Sequence, residues 1–329
     1  MSEFSIIVSI PNDGLAHTVT ISTNTPFSAK RIRGVYADYA GNSGLVEYDE
    51  FATVGIRVAG YEVIPDNFPA RWISSGYWVR RDSNEALPNL RKENKWAELP
   101  MDEPAEGSKL EVTVTSRKSL VLIFRLDNRE VGKSRKRYKV VKVSPNGGWQ
   151  RPANLPSASW ENNLASSFQI DVGGVFKGIF CEYEVDYSGI NTYPYLHQAG
   201  KWFYGVMPSG YAKRRAFQIP LDTEITSNSL EERDYVKTFL NLNTWLTIRT
   251  ATGKEIASGI NAGIVAPTRS ISFKHAEFRK EGDTEHVTIF TQFPFFFNQN
   301  SDVAPARNNL PFARCELILC LTFSEKKQQ

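Results

Sequence analysis

Three acidic residues, Glu182, Glu184 and Asp186, alternate with Cys181, Tyr183, Val185 and Tyr187. That period-two spacing sets the three carboxylates on one face of a β-strand. Clustered carboxylate oxygens suit a hard cation such as calcium. The same row works as a solvated outer face that discourages edge pairing. A second feature is basic: Lys133, Arg135, Lys136, Arg137, Lys139 and Lys142 crowd into ten residues, with smaller groups at Lys30, Arg31, Arg33 and at Lys213, Arg214, Arg215. Such a run can hold the phosphates of anionic lipid or nucleic acid, or it can be a solvated hairpin. Only Tyr138 interrupts it, so the interleaved stacking aromatics of a single-strand binder are missing and no sequence-specific nucleic-acid partner is expected.

The remaining candidates for catalysis are sparse. Histidines occur at 17, 197, 275 and 286, none in HExxH or HxH spacing, and none with a Cys or carboxylate at ligand distance in sequence. His17 and His275 read as packed or surface groups of strands; His197, in the aromatic loop YPYLHQAGKWFYG, is the better placed for binding. No GxSxG, Walker loop or dinucleotide fingerprint occurs, so we expect neither an enzyme nor a cofactor. The three cysteines, Cys181, Cys315 and Cys320, have no CxxC spacing. Cys315 and Cys320 are five apart, hence on opposite faces of one strand, and all three read as buried reduced thiols. Two aromatic stretches, Tyr187 to Tyr204 and Phe293 to Phe297 (FPFFF), read as loops that cover either a partner or the protein's own core.

The elements that must position these residues are almost all strands. At 329 residues, 41% hydrophobic and 12% aromatic, the chain can bury a large core, and its net charge of +3 is too mild to argue for nucleic acid alone. No apolar run approaches the ~18 residues of a membrane span, and the N-terminus reads as a first strand, not an export signal. Alternation predicts strands over 4–10 and 15–21 (as a hairpin), 31–38, 53–64, 77–80, 109–115, 119–126 and 138–143. Beyond these it predicts strands over 168–172, 175–187, 202–207, 216–221, 244–250, 270–278, 285–293 and 313–323. The last is apolar on both faces, as a central strand is. One short helix is expected per half, within 83–99 and over 229–240, the latter opened by the capping box Ser229-x-x-Glu232.

Between the halves lies SPNGGWQRPANLPSASWENN, 144–163, whose three prolines and Gly147-Gly148 forbid helix and ladder alike. It divides the chain into an N-terminal unit, 1–143, a linker, 144–163, and a C-terminal unit, 164–329. A repeat crosses it. Arg33-Gly34-Val35-Tyr36-Ala37-Asp38-Tyr39 matches Lys177-Gly178-Ile179-Phe180-Cys181-Glu182-Tyr183 at an offset of 144, which also relates Ser83-Asn84 to Ser227-Asn228. Each half then has about eight strands, the content of a jelly roll, so the expected fold is all-β: two tandem jelly-roll sandwiches.

Two jelly-roll halves with long decorated loops, reduced cysteines and no catalytic cluster resemble a double jelly-roll viral major capsid protein of the tailless, lipid-containing icosahedral bacteriophage type. The resemblance is architectural and covers nearly the whole chain, with no short motif to carry over. It implies a homotrimer forming a pseudo-hexameric tile, with neighbouring capsomers, minor capsid proteins and an internal membrane as partners. It also implies a place in the virion after synthesis in the host cytoplasm. The basic run would then face lipid headgroups or genome. Two other classes fit the composition: a carbohydrate- or receptor-binding β-sandwich such as a phage adhesin, and a β-rich enzyme using Glu182, Glu184 and Asp186.

Overall fold

The computed structural model describes residues 2–39, 49, 51–74, 98–132, 135–144, 165–171, 175–186, 201–205, 215–218, 244–250, 252–265, 286–292, 295–298 and 314–325. The stretch 144–163 beyond Ser144, the expected helices at 83–97 and 229–240, the expected strands at 77–80 and 270–278, Lys133, His197 and His275 lie outside them.

Eight strands build the first half: β1 (Ser2–Val8), β2 (His17–Asn24), β3 (Arg31–Tyr39), β4 (Thr53–Val58), β5 (Tyr61–Pro69), β6 (Leu99–Pro104), β7 (Lys109–Ser116) and β8 (Leu120–Asp127). They form two antiparallel sheets, ordered β1-β8-β3-β6 and β2-β7-β4-β5. That order is the jelly roll itself, two sheets exchanging successive strands. Alternation explains the layers: in β8, Leu120, Leu122, Phe124 and Leu126 turn into the core while Val121, Ile123 and Arg125 turn out. On the outer side of the other sheet, Thr18 and Thr20 of β2 meet Thr115 and Thr113 of β7 through hydroxyl hydrogen bonds of 2.8 and 3.2 Å. This places β1 and β2 in different sheets, so they are not the hairpin expected from sequence; each instead pairs with a strand about a hundred residues away. The single strand expected over 53–64 is also two, because Ala59 (φ 51°) and Gly60 (φ 83°) take left-handed conformations and reverse the chain between β4 and β5.

The second half comprises β9 (Arg135–Val143), β10 (Ala165–Asp171), β11 (Val175–Asp186), β12 (Lys201–Gly205), β13 (Arg215–Gln218), β14 (Trp245–Thr250), β15 (Glu255–Asn261), β16 (His286–Gln292), β17 (Phe295–Asn298) and β18 (Arg314–Glu325). One sheet runs β10-β16-β14-β15 and another β9-β18-β11. If β12, β13 and β17 are set aside as an insertion, these are the sheet orders of the first half again, short of one edge strand among the described residues. The inserted strands make a small sheet of their own, β13-β12-β17.

This topology corrects the division read from sequence. Strand β9, expected to close the first half, is the opening strand of the second: it pairs with β18 from Leu317↔Val143 to Glu325↔Arg135. The crossing between halves is therefore the short segment 128–134, after β8 and before β9. The proline-rich stretch 144–163 connects β9 to β10 within the second half.

The repeat, by contrast, is structural. β3 and β11 hold the same place, each paired with the last strand of its own half, and each has a bulge at the basic residue before glycine, Arg33 and Lys177. The second match fails. Ser83-Asn84 falls between β5 and β6, whereas Ser227-Asn228 falls between β13 and β14, and these are not equivalent connections. An equivalence that does hold is at the turns after β5 and β15. Ala70 N–H donates to the Ala52 carbonyl at 2.8 Å, and Ala262 N–H to the Thr244 carbonyl at 2.9 Å, both acceptors immediately preceding the neighbouring strand.

Candidate functional site

A connected group of charged side chains lies between the two halves. It starts from the end of β5, where Pro69 (φ −62°, extended) stops the strand and the chain makes one 3₁₀ turn, Ala70–Ile73, with all four residues buried. The turn presents Arg71 and Trp72 to the outer face of β11. Trp72 meets Phe180 edge-on with ring centroids 4.7 Å apart, and Phe68 meets Trp72 at 5.4 Å and Tyr138 of β9 at 6.2 Å, also edge-on. One apolar cluster thus runs from the core of the first half to Tyr138, Val140, Phe180, Ile318 and Cys320 of the second.

Two of the three alternating carboxylates lie in this contact. Glu182 Oε2 accepts from Arg71 Nε at 2.8 Å and from the Trp72 indole N–H at 2.7 Å. Glu184 accepts from Lys142 Nζ at 2.8 Å and lies 3.5 Å from Arg71 Nη1, and Lys142 also reaches Glu316 at 3.8 Å. The solvated row expected from sequence does not hold for Glu182 and Glu184. They are buried, not a solvated row, and a guanidinium and an ammonium stand where a cation would sit. The backbone of Asp186 pairs with Arg314 at the end of the same ladder.

Part of the basic run is likewise drawn into the protein. Arg137 is buried and ion-paired with Glu103, Arg135 lies 3.9 Å from the same carboxylate, and Lys142 belongs to the cluster above. Burial pushes the Glu103 carboxyl up, with Arg137 pulling against it. Lys136 and Lys139 are half-buried on β9. Within the run, Arg135 and Arg137 turn toward a carboxylate of the first half and Lys142, itself exposed, toward carboxylates of the second, and these charge-assisted bonds hold β9 in place.

Other groups singled out in the sequence are structural. His17 lies beside Asp13, Nε2 to Oδ2 2.8 Å, and the Leu15 N–H and then His17 hold the Asp13 carboxyl below its usual range. The three cysteines form no disulfide and are buried, with Cys181 and Cys315 on one face of the β11–β18 ladder and Cys320 on the other. Burial pushes the Cys181 and Cys320 thiols up, which suppresses the thiolate needed for reactivity. Tyr183 donates or accepts at 2.5 Å with the Thr244 hydroxyl in the same interior. The two aromatic stretches do meet: β12 pairs with β17 in the register Trp202↔Phe297, Phe203↔Phe296 and Tyr204↔Phe295. Sequence reasoning missed Arg71 and Trp72. Their only signal is a charged and an indole side chain adjacent in PARWIS, a short apolar stretch between strands.

No protein-family model matches the chain, and no curated protein matches it. Among solved structures the chain is similar to VP54 of PBCV-1, in a crystal structure fitted into a cryo-electron-microscopy reconstruction of the virophage Sputnik. The TM-score is 0.39 at 10% identity, covering 98% of this chain and 93% of that one. It is also similar to a peptide-N(4)-(N-acetyl-β-D-glucosaminyl) asparagine amidase, TM-score 0.32 at 10% identity over 99% and 97% of the two chains. A third is PNGase F, a glycosylasparaginase from Flavobacterium meningosepticum, TM-score 0.31 at 10% identity with the same coverage. The fold assignment, an all-β chain of jelly-roll sandwiches, rests on strand order and not on these distant likenesses.

Proposed function

We propose that this chain is a structural shell protein, a double jelly-roll major capsid protein whose trimers form pseudo-hexameric tiles of an icosahedral virion. The observation that carries the reading is the repetition of one strand order in both halves, joined through a buried contact that fixes their relative placement. A tile with two near-equal edges per chain can meet several neighbours with one kind of contact, which is what a closed shell asks of its subunits. A tailless, lipid-containing bacteriophage, with minor capsid proteins and an internal membrane as further partners, is the setting we propose. Synthesis would be in the host cytoplasm. The test is the mass and appearance of the purified protein: particles in the electron microscope, or a species near three times 37.1 kDa, support the reading. A monomer at every concentration defeats it.

A carbohydrate- or receptor-binding role has one observation in its favour, the aromatic register of β12 with β17 on an insertion outside both sandwiches. Glycan-array binding that is lost on deleting residues 201–218 would favour this second reading.

A further inference from the structure

The basic cluster Lys213-Arg214-Arg215 lies in the sequence between the two aromatic stretches, 187–204 and 293–297. The topology gathers parts of all three into the small sheet β13-β12-β17, with Arg215 opening β13. In register, Phe203 of the central strand stands opposite Phe217 of β13 and opposite Phe296 of β17. Three phenylalanines therefore form one row across the whole sheet. On the same face, two residues along β12 in either direction, Gly205 pairs with Arg215 and Lys201 pairs with Asn298.

The other face of the sheet holds the rows Trp202–Phe297–Gln218 and Tyr204–Phe295–Ala216. It has four aromatic residues and no charge. Both cations of the sheet, Lys201 and Arg215, belong to the face of the phenylalanine row, and none of the three strands contains Asp or Glu. A sheet covered on one side turns its uncharged face to the body and its charged face to water. Three phenylalanines on the charged face are then apolar area in want of a ligand, with a cation one row to either side. We propose that this face binds single-stranded nucleic acid without sequence preference, bases stacking on the phenylalanine row while Lys201 and Arg215 hold phosphates on either side of it.

The chemistry selects this ligand over its rivals. Every base has a π face, so phenyl rings accept any of them, and an antiparallel sheet with a row of aromatic residues is a recurrent platform for splayed-out bases. The cations stand about 7 Å along the strands from the rings, comparable to the reach from a base to its own phosphates. Gly205 leaves the position opposite Arg215 without a side chain, so a phosphate can come close to the strand. A sugar site needs several neutral hydrogen-bonding groups around its rings, and on this face Asn298 alone supplies one. A duplex keeps its bases stacked on one another and offers the row nothing. The proposal does not rest on the shell reading.

The test is fluorescence anisotropy of the full chain with a labelled oligothymidylate of about 12 nucleotides, an ordinary site size for such a platform. Two phosphate contacts predict a salt slope of about −1.4, so affinity should fall about sevenfold from about 50 to about 200 mM salt. A strand of mixed sequence should bind alike, and the matching duplex at least about tenfold more weakly. Phe217→Leu and Phe296→Leu keep apolar volume but remove the ring, and each should weaken binding about tenfold. Phe297→Leu, the same exchange one residue further and on the opposite face, should leave affinity unchanged. Arg215→Gln should reduce the salt slope by about 0.7, a readout that stands even where a leucine variant does not fold. No binding at low salt, leucine variants that bind like the parent, an unchanged slope in Arg215→Gln, or equal affinity for polygalacturonate would each overturn the proposal. All of these outcomes leave the shell reading standing, since that is decided by particle mass.

Discussion

Arg71 of the first half and Glu182 of the second are joined by a 2.8 Å hydrogen bond while their side chains are 0% and 5% exposed. Removing one member of such a pair leaves a charge in a water-excluded contact, which costs far more than the pair contributes. Arg71→Met should therefore destabilise the protein by about 3–5 kcal/mol, because Glu182 and Glu184 both lose their guanidinium. Glu182→Gln keeps an acceptor for the Trp72 indole and should cost less, about 1–3 kcal/mol. Urea titration of the two variants checks the order; equal losses would mean that breaking the Arg71–Glu182 ion pair, which both variants share, sets the cost.

The thiols give a second expectation. Cys181, Cys315 and Cys320 are all buried on β11 and β18, and burial holds the Cys181 and Cys320 thiols in their neutral form. A thiol reagent such as DTNB should label none of them in the native protein at pH 8 and all three in denaturant. Rapid native labelling of Cys320, which lies in the cluster shared with the first half, would mean the two halves separate readily.

Acid should weaken the end of the first half in a defined window. Asp127, the last residue of β8, accepts from Arg31 Nε at 3.0 Å and Nη2 at 2.6 Å and from Arg129 Nη2 at 2.8 Å. Arg31 first, then Arg129, lower its carboxyl from 3.8 to about 2. A depressed folded-state value means the bonds contribute fully above the unfolded value of about 4 and are lost as pH falls toward 2. The urea midpoint should fall over that range, and Asp127→Asn should remove that part of the fall. An unchanged acid profile in the variant would show that Asp127 does not titrate with folding.

What was readable in the sequence was what alternation encodes. The strands, the two-faced apolar pattern of β18 and the repeat at Gly34 and Gly178 depend on side chains within one strand and its neighbours. The boundary was misread because composition does not separate a linker from a long connection inside a sandwich: Pro145, Pro152 and Pro156 forbid ladders equally in either role. The actual crossing at 128–134 is short and charged, with no marker of its own. Glu182 and Glu184 were misread for a related reason. Alternation of acidic and apolar residues shows that a strand has two different faces, and the partner of the acidic face, Arg71, is more than a hundred residues away.

The equivalence of Phe180 and Tyr36 makes the last expectation. Both stand on the third strand of a half, two residues after the aligned glycine, and both point to the outer face. Phe180 is covered by Trp72, whereas Tyr36 is half-buried with the Arg125 guanidinium 5.4 Å from its ring. Truncating a covered aromatic removes both its transfer energy and its packing, so Phe180→Ala should cost about 3–5 kcal/mol at any protein concentration. Tyr36→Ala in dilute monomer should cost about 1 kcal/mol or less, that of an exposed cation–π contact. If another copy covers Tyr36, its cost should grow as the protein is concentrated and assembles, since association adds stability by mass action. Denaturation of both variants at two protein concentrations separates the cases: a Tyr36→Ala cost that is large when dilute would place that face in contact with its own chain.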